Sequence, residues 1–212
     1  NPDDGTTLSA GFSRAVNQFI ENPYGRLTTF QVNYHFLTQG LDIRLMKGYA
    51  AFVRDYNFVI DSRYTSKNYT ENFFGFGNET LNLDESLSLD YNRVNLSQYN
   101  GGIGLERESD YGSFFQFKYD IRTVEVVSNG SNFISEVLPA TLGSRSYFGI
   151  PNATFRYKNY DNEEFPAKGM LFETKASAID DLGSNTLTGV LDGTLTFHNA
   201  LLSNKRLVLK TK

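Results

Sequence analysis

The side chains with the widest chemical reach are two histidines, His35 and His198, the only ones among 212 residues. A metal centre or an acid–base pair would need them side by side with carboxylates. They are far apart in the chain, and each occupies a polar position in a stretch of alternating polar and apolar residues. They read as polar residues of a strand face rather than as ligands. The carboxylates Asp3, Asp4, Asp84, Glu85, Asp161, Glu163 and Glu164 fall between such stretches. The run Asp161-Asn162-Glu163-Glu164 lacks the spaced ligands and glycine of a calcium loop, so it reads as a solvated turn. Gly101-Gly102-Ile103-Gly104 lacks the helix that a phosphate-binding loop requires, and reads as a bulge or close packing within a strand. No Gly-x-Ser-x-Gly is present, and cysteine is absent. No catalytic, cofactor-binding or metal-binding residue is expected, and no cofactor.

The elements that carry these residues are strands. Phe30, Val32, Tyr34 and Phe36 interleave with Gln31, Asn33 and His35. Phe115, Phe117, Tyr119 and Ile121 interleave with Gln116, Lys118, Asp120 and Arg122. Leu187, Gly189, Leu191, Leu195 and Phe197 interleave with Thr188, Asp192, Thr194, Thr196 and His198. Successive side chains of a strand point to opposite faces, so each stretch has one apolar and one polar side. Ten strands are predicted, over 6–19, 26–38, 41–50, 56–65, 89–106, 112–126, 146–159, 169–179, 186–200 and 206–212. No helix is predicted. Several strands exceed the usual five or six residues and match the 9–11 or so that a tilted strand needs to cross a bilayer.

Composition narrows the classes further. With 18 Phe and 13 Tyr, the chain favours sheets. The net charge of −4 comes with no basic patch for nucleic acid. No apolar run is long enough for a membrane helix, which leaves membrane barrels open because their lipid-facing residues are every second one. The opening Asn1-Pro2-Asp3-Asp4-Gly5 is no signal peptide, so the chain reads as mature or as a fragment.

Connection lengths give the sheet two ends. Glu21 to Gly25, Gln39-Gly40, the turn near Arg54-Asp55, and Asp110-Tyr111-Gly112 are short, whereas about 66–88 and about 127–145 are long. Both long connections are even-numbered, so they lie at one end. Outer-membrane barrels carry long loops outside and short turns on the periplasmic side. By that parity the first strand runs inward and a strand is expected before it. The polar side would then face a wet lumen, lined by His35, Lys118, Asp120, Arg122, Glu173, Lys175, Asp192 and His198. A small self-closing porin-like barrel and a soluble secreted β-sandwich that binds a ligand are the alternatives.

Four stretches resemble a known family. They are Asn1-Pro2-Asp3-Asp4-Gly5 with Leu8, Gly11 and Phe12; Asn72-Phe73-Phe74-Gly75-Phe76-Gly77-Asn78 with Glu79-Thr80; Asp161-Asn162 with Phe165-Pro166 and Gly169; and Arg206-Leu207-Val208-Leu209. They are similar to the bacterial surface-antigen barrels of BamA-like and TamA-like assembly factors and two-partner secretion transporters. The nearest likeness is to barrels behind a calcineurin-like metallophosphoesterase. The family's Arg-Gly-Phe/Tyr lumen loop and terminal aromatic are missing. The resemblance implies an all-β fold, an antiparallel transmembrane β-barrel with about ten strands present of an expected sixteen. Residues 1–212 would be one partial outer-membrane barrel domain holding strands two to eleven. It implies outer-membrane protein assembly or translocation, or anchoring of a periplasmic phosphoesterase that lies outside this chain. Implied partners are the lipid bilayer, the remaining strands and periplasmic domain of the same protein, and envelope proteins. The Phe73, Phe74, Phe76 cluster is expected either to fold back and plug or brace the barrel mouth, or to dock a partner or dip into the membrane interface.

Overall fold

In a computed structural model of the chain, residues 5–18, 21–76, 91–109, 112–127, 132–138, 143–202 and 207–212 are described. Eleven strands and one short helix follow in order: β1 (Thr7–Gln18), β2 (Glu21–His35), β3 (Gly40–Val53), β4 (Tyr56–Thr65), β5 (Thr70–Asn72), β6 (Arg93–Glu108), β7 (Ser113–Val127), α1 (Phe133–Val137), β8 (Arg145–Tyr160), β9 (Lys168–Asp181), β10 (Thr186–Ala200) and β11 (Val208–Thr211). All belong to one antiparallel sheet in the order β1-β2-β3-β4-β6-β7-β8-β9-β10-β11, with β5 also on β6. β5 resumes the course of β4 along β6 after a short break in which Tyr69 N–H donates to the Ser66 carbonyl. The ten predicted strand positions are therefore all occupied, in sequence order. The sheet is open, with β1 and β11 as its edges.

Several details depart from the sequence reading. β2 begins at Glu21, so residues 21–25 extend a strand instead of forming the first connection. The second connection covers 36–39, with Gln39 in the left-handed region at φ 56°. β5 and α1 were not predicted. α1 is a single five-residue turn inside the sixth connection, too short to leave a helical period in the sequence. The glycine run of β6 keeps regular register with β7, so it is close packing and not a bulge. A bulge occurs instead in β3, where pairing with β4 slips between Tyr49 and Val53 and Ala51 takes φ 46°.

Strand lengths reach 16 residues in β6 and β8 and 15 in β2, β7 and β10. Pro151 sits inside β8, and no β8–β9 pair forms between Gly149 and Asn152. That gap follows from the N–H that proline lacks.

The burial pattern is inverted. The buried residues on strands include Asp42, Thr65, Asp120, Asn152 and Thr196, with Val59, Val94 and Ile150 among them. Phe12, Ile103, Phe117 and Leu191 are exposed, Leu191 at 78%. A single-layered sheet can bury one face only by curling over it, and this one curls over its polar side.

Gly169 closes the seventh connection at φ +134°, and a Cβ there would collide with the Asn159 carbonyl oxygen. Gly169→Ala should therefore lower stability by about 1–3 kcal/mol. Thermal unfolding followed by circular dichroism measures this, and an unchanged midpoint would contradict the assignment.

Candidate functional site: the polar face of the sheet

Register decides which residues share a face. Phe12, Phe30, Leu45 and Ser62 stand opposite one another in one row, and the row continues through Gly101, Ile121 and Gly149. The next row toward the long connections holds Tyr64, Tyr99, Thr123 and Tyr147. Toward the short turns come Ile60, Ile103 and Tyr119, then Phe58, Leu105 and Phe117. The rows between these carry the polar residues. His35, Lys118, Asp120, Arg122, Glu173, Lys175, Asp192 and His198 all fall on that second face, because each lies an odd number of residues from an apolar-face neighbour on its own strand.

Three of the eight are joined in one network. Lys118 Nζ forms an ion pair with Asp61 on β4 and another with Asp120 on its own strand, the latter at 2.8 Å. Asn152 Nδ2 donates to Asp120 at 2.9 Å and Asn100 Nδ2 at 3.4 Å. Arg122 Nε donates to Asn100 Oδ1 at 3.2 Å. The Lys118 and Asp120 side chains are only 17% and 11% exposed, so each needs the other's charge. Gly102 faces this cluster from β6, and a Cβ there would run into Asp120 and Lys118. The glycine run of β6 therefore opens the space that the ion pair fills.

A second network, which sequence reading missed, surrounds Asp42. Its carboxylate is buried, and it accepts from Arg44 at 2.9 Å and from Arg63 at 3.0 Å. Arg63 also donates to Tyr69 Oη and lies over the Tyr69 ring, which packs edge-on against His35. The residues Asp42 and Arg44, two apart on β3, were visible as a same-face pair of opposite charge. At the long-connection end Glu125 joins Lys67 and Arg145, and by register Glu125 and Arg145 stand on the other face, one row beyond Thr123 and Tyr147. Lys175 and Asp192 are cross-strand partners on β9 and β10, and Glu173 stands opposite Arg156 and Thr194.

The two histidines are kept apart. His35 ends β2 at the long-connection end, with Nδ1 3.0 Å from Thr7 Oγ1. His198 lies near the other end of β10, against Tyr160, and borders an open pocket with Asp161, Phe165, Pro166 and Lys210. Among the described residues no group of three metal-ligating side chains comes together.

The aromatic motif holds two connections together. Phe73 packs on Phe76 at 5.5 Å and on Phe133 of α1 at 5.9 Å, and Phe133 meets Tyr91. Phe73 N–H donates to the Asn92 carbonyl, and Asn132 Nδ2 donates to the Arg93 carbonyl. Ile134 is buried beneath them. Asn72 ends β5, Phe74 is half-buried, and Gly75 takes φ +102°. Phe76 stays 73% exposed. Phe73 thus braces and Phe76 projects, while Gly77 and Asn78 lie outside the described residues, as do Glu79 and Thr80.

The Asp161 to Gly169 motif is a self-capped turn. Asp161 Oδ1 accepts from the Ala167 and Lys168 N–H groups, and Asn162 Oδ1 from those of Glu164 and Phe165. Ala167 is buried beneath it while Phe165 stays exposed. Glu163 pairs with Lys158 at 2.7 Å, and that hydrogen bond holds its carboxyl below the usual carboxylate range.

Comparison of the chain with models of known families, with curated proteins and with solved structures returns no match.

Lys118→Met should destabilise the sheet by about 3 kcal/mol, because Asp61 and Asp120 would be left facing each other uncompensated. The double variant K118M/D120N should recover part of that loss. Equal unfolding midpoints for the single and double variants would refute the coupling. A depressed carboxylate contributes stability above its unfolded pKa and loses it as pH falls through the folded value. Glu163→Gln should accordingly speed amide exchange across 161–167 at neutral pH, with the difference from wild type disappearing in acid.

Proposed function

We propose that the chain forms most of the wall of a bacterial outer-membrane β-barrel, with the polar face lining the lumen and the apolar face in lipid. The observation that carries this reading is the inverted burial. Buried Asp42, Asp120 and Asn152 lie on one side of a sheet whose other side exposes Phe12, Ile103, Phe117 and Leu191. Exposed apolar surface of that extent in water would be an association liability, whereas in a bilayer it is the matching surface. Strands of 14–16 residues are long enough to cross and project. Tyr64, Tyr99 and Tyr147 in one row suit an aromatic girdle at the interface.

Open edges at β1 and β11 support a barrel completed by further strands. They weigh against a small barrel closing on itself, which would pair β1 with β11. A soluble sandwich would cover its apolar face with a second sheet, and the described residues form one sheet only. The BamA-like resemblance of the four sequence stretches then gives the role: outer-membrane protein assembly or translocation, or anchoring of a periplasmic phosphoesterase domain. The chain contributes the wall, and a periplasmic domain contributes the chemistry.

Leu191→Arg, on the apolar face, should cost about 2–4 kcal/mol in vesicle-embedded protein, whereas Asp192→Asn on the other face should cost far less. Urea titration of both variants in vesicles reads the difference. A Leu191→Arg protein that is monodisperse without detergent and as stable as wild type would sink the membrane reading.

A further inference from the structure

Cations that have no ion-pair partner among the described residues cluster at one place on the apolar face. Arg14 on β1, Arg26 on β2 and Lys47 on β3 all point to that side, since each shares its row with residues of the apolar face. Arg14 stands opposite Thr28, and Thr28 opposite Lys47; Arg26 is one row nearer the short turns, opposite Val16 and Tyr49. The three side chains therefore form a triangle across three adjacent strands. Arg14 and Arg26 are exposed and Lys47 is half-buried. Among the described residues none of the three takes part in an ion pair. The contrast is Arg107, a cation on the same face of β6. It is paired with Asp55 at 3.1 Å and lies over the Tyr56 ring.

The surroundings specify what would neutralise them. One row toward the long connections are Phe12, Phe30 and Leu45, with the two phenyl rings in contact at 5.9 Å. In register with Lys47 on the next strand is Ile60, and in register with Tyr49 is Phe58. A charge cluster bordered by apolar surface above and to one side suits a ligand with an anionic head and a hydrocarbon tail. Basic residues grouped beside a lipid-facing surface attract anionic headgroups, and long cationic side chains reach such groups while their stems cover apolar neighbours.

We propose that Arg14, Arg26 and Lys47 hold the phosphate of an anionic phospholipid, with its acyl chains lying over Phe12, Phe30 and Leu45. The proposal rests on the membrane reading above. Its test uses the intact protein, purified in a non-ionic detergent and titrated with phosphatidylglycerol or phosphatidylcholine, with bound lipid counted by native mass spectrometry. Wild type should retain phosphatidylglycerol in preference to phosphatidylcholine. The variant R14Q/R26Q/K47Q should lose that preference by at least about tenfold, given on the order of fivefold per cation near a charged surface. The charge-keeping variant R14K/R26K/K47R and the control R107Q should keep most of it. Equal retention of both lipids by wild type, or undiminished preference in the triple glutamine variant, overturns the site while leaving the membrane reading intact. A wild-type protein that is monodisperse without detergent and binds neither lipid overturns both.

Discussion

Pairing of charges on the curled-over side of the sheet is the constraint on which the rest depends. Lys118 lies between Asp61 and Asp120, and Asp42 between Arg44 and Arg63. These contacts join β4 to β7 and β3 to β4, so they fix how neighbouring strands stand relative to one another. A charge with restricted access to water is costly unless a partner sits at hydrogen-bond distance. Once those partners are locked, every second residue of the same strands must face the other way. The exposed apolar face is then a consequence of where the ion pairs stand, and small residues are drawn in to serve them. Gly102 leaves the volume that Lys118 and Asp120 occupy.

The connections divide the labour between the two ends. At the short-turn end, Arg54 turns the chain in the left-handed region at φ 54°, and the Asp161–Gly169 motif turns it with its own polar groups. Asp161 and Asn162 supply the acceptors that the turn's backbone N–H groups would otherwise lack. At the other end, the fourth and sixth connections pack on each other through Phe73, Tyr91 and Phe133. That cluster has a buried core of its own in Ile134 and Val94. It leaves Phe76 projecting from it.

The strand order was legible because period-two alternation is local, and each strand pairs with its neighbours in sequence. The eight polar-face residues were legible for the same reason, since parity along a strand assigns a face without knowledge of the fold. Which of them meet was not legible. Lys118 and Asp61 are brought together by the register of β4 on β6 and of β6 on β7, and a shift of one residue in either would separate them. The start of β2 was misjudged because Asn22-Pro23 and Gly25 carry turn signals, and they fall in an irregularity of β2 between its pairs at Glu21 and Arg26. The single turn of α1 left no periodic signal, and its position depends on contacts with Tyr91 and Phe73 from a distant part of the chain. The Arg14, Arg26, Lys47 triangle was likewise hidden, because only the register of three strands puts those side chains in adjacent rows.

The two edges of the sheet are unequal, and the inequality bears on how a ring would be completed. β1 offers an edge of 12 residues, paired along its other side to β2 through most of its length. β11 is four residues long and covers only Phe197 to Ala200 of β10. The stretch Thr186–Thr196 of β10 therefore has backbone groups on its outer side that β11 does not reach. Unpaired backbone donors and acceptors are costly in hydrocarbon, so in the proposed setting that stretch of β10 needs a further partner. At the other edge, whatever pairs with β1 lies directly beside Arg14. An acidic residue on that neighbour's outer face would compete with a lipid phosphate for the same cation, so the composition of the joining strand decides how much of the proposed headgroup site remains open.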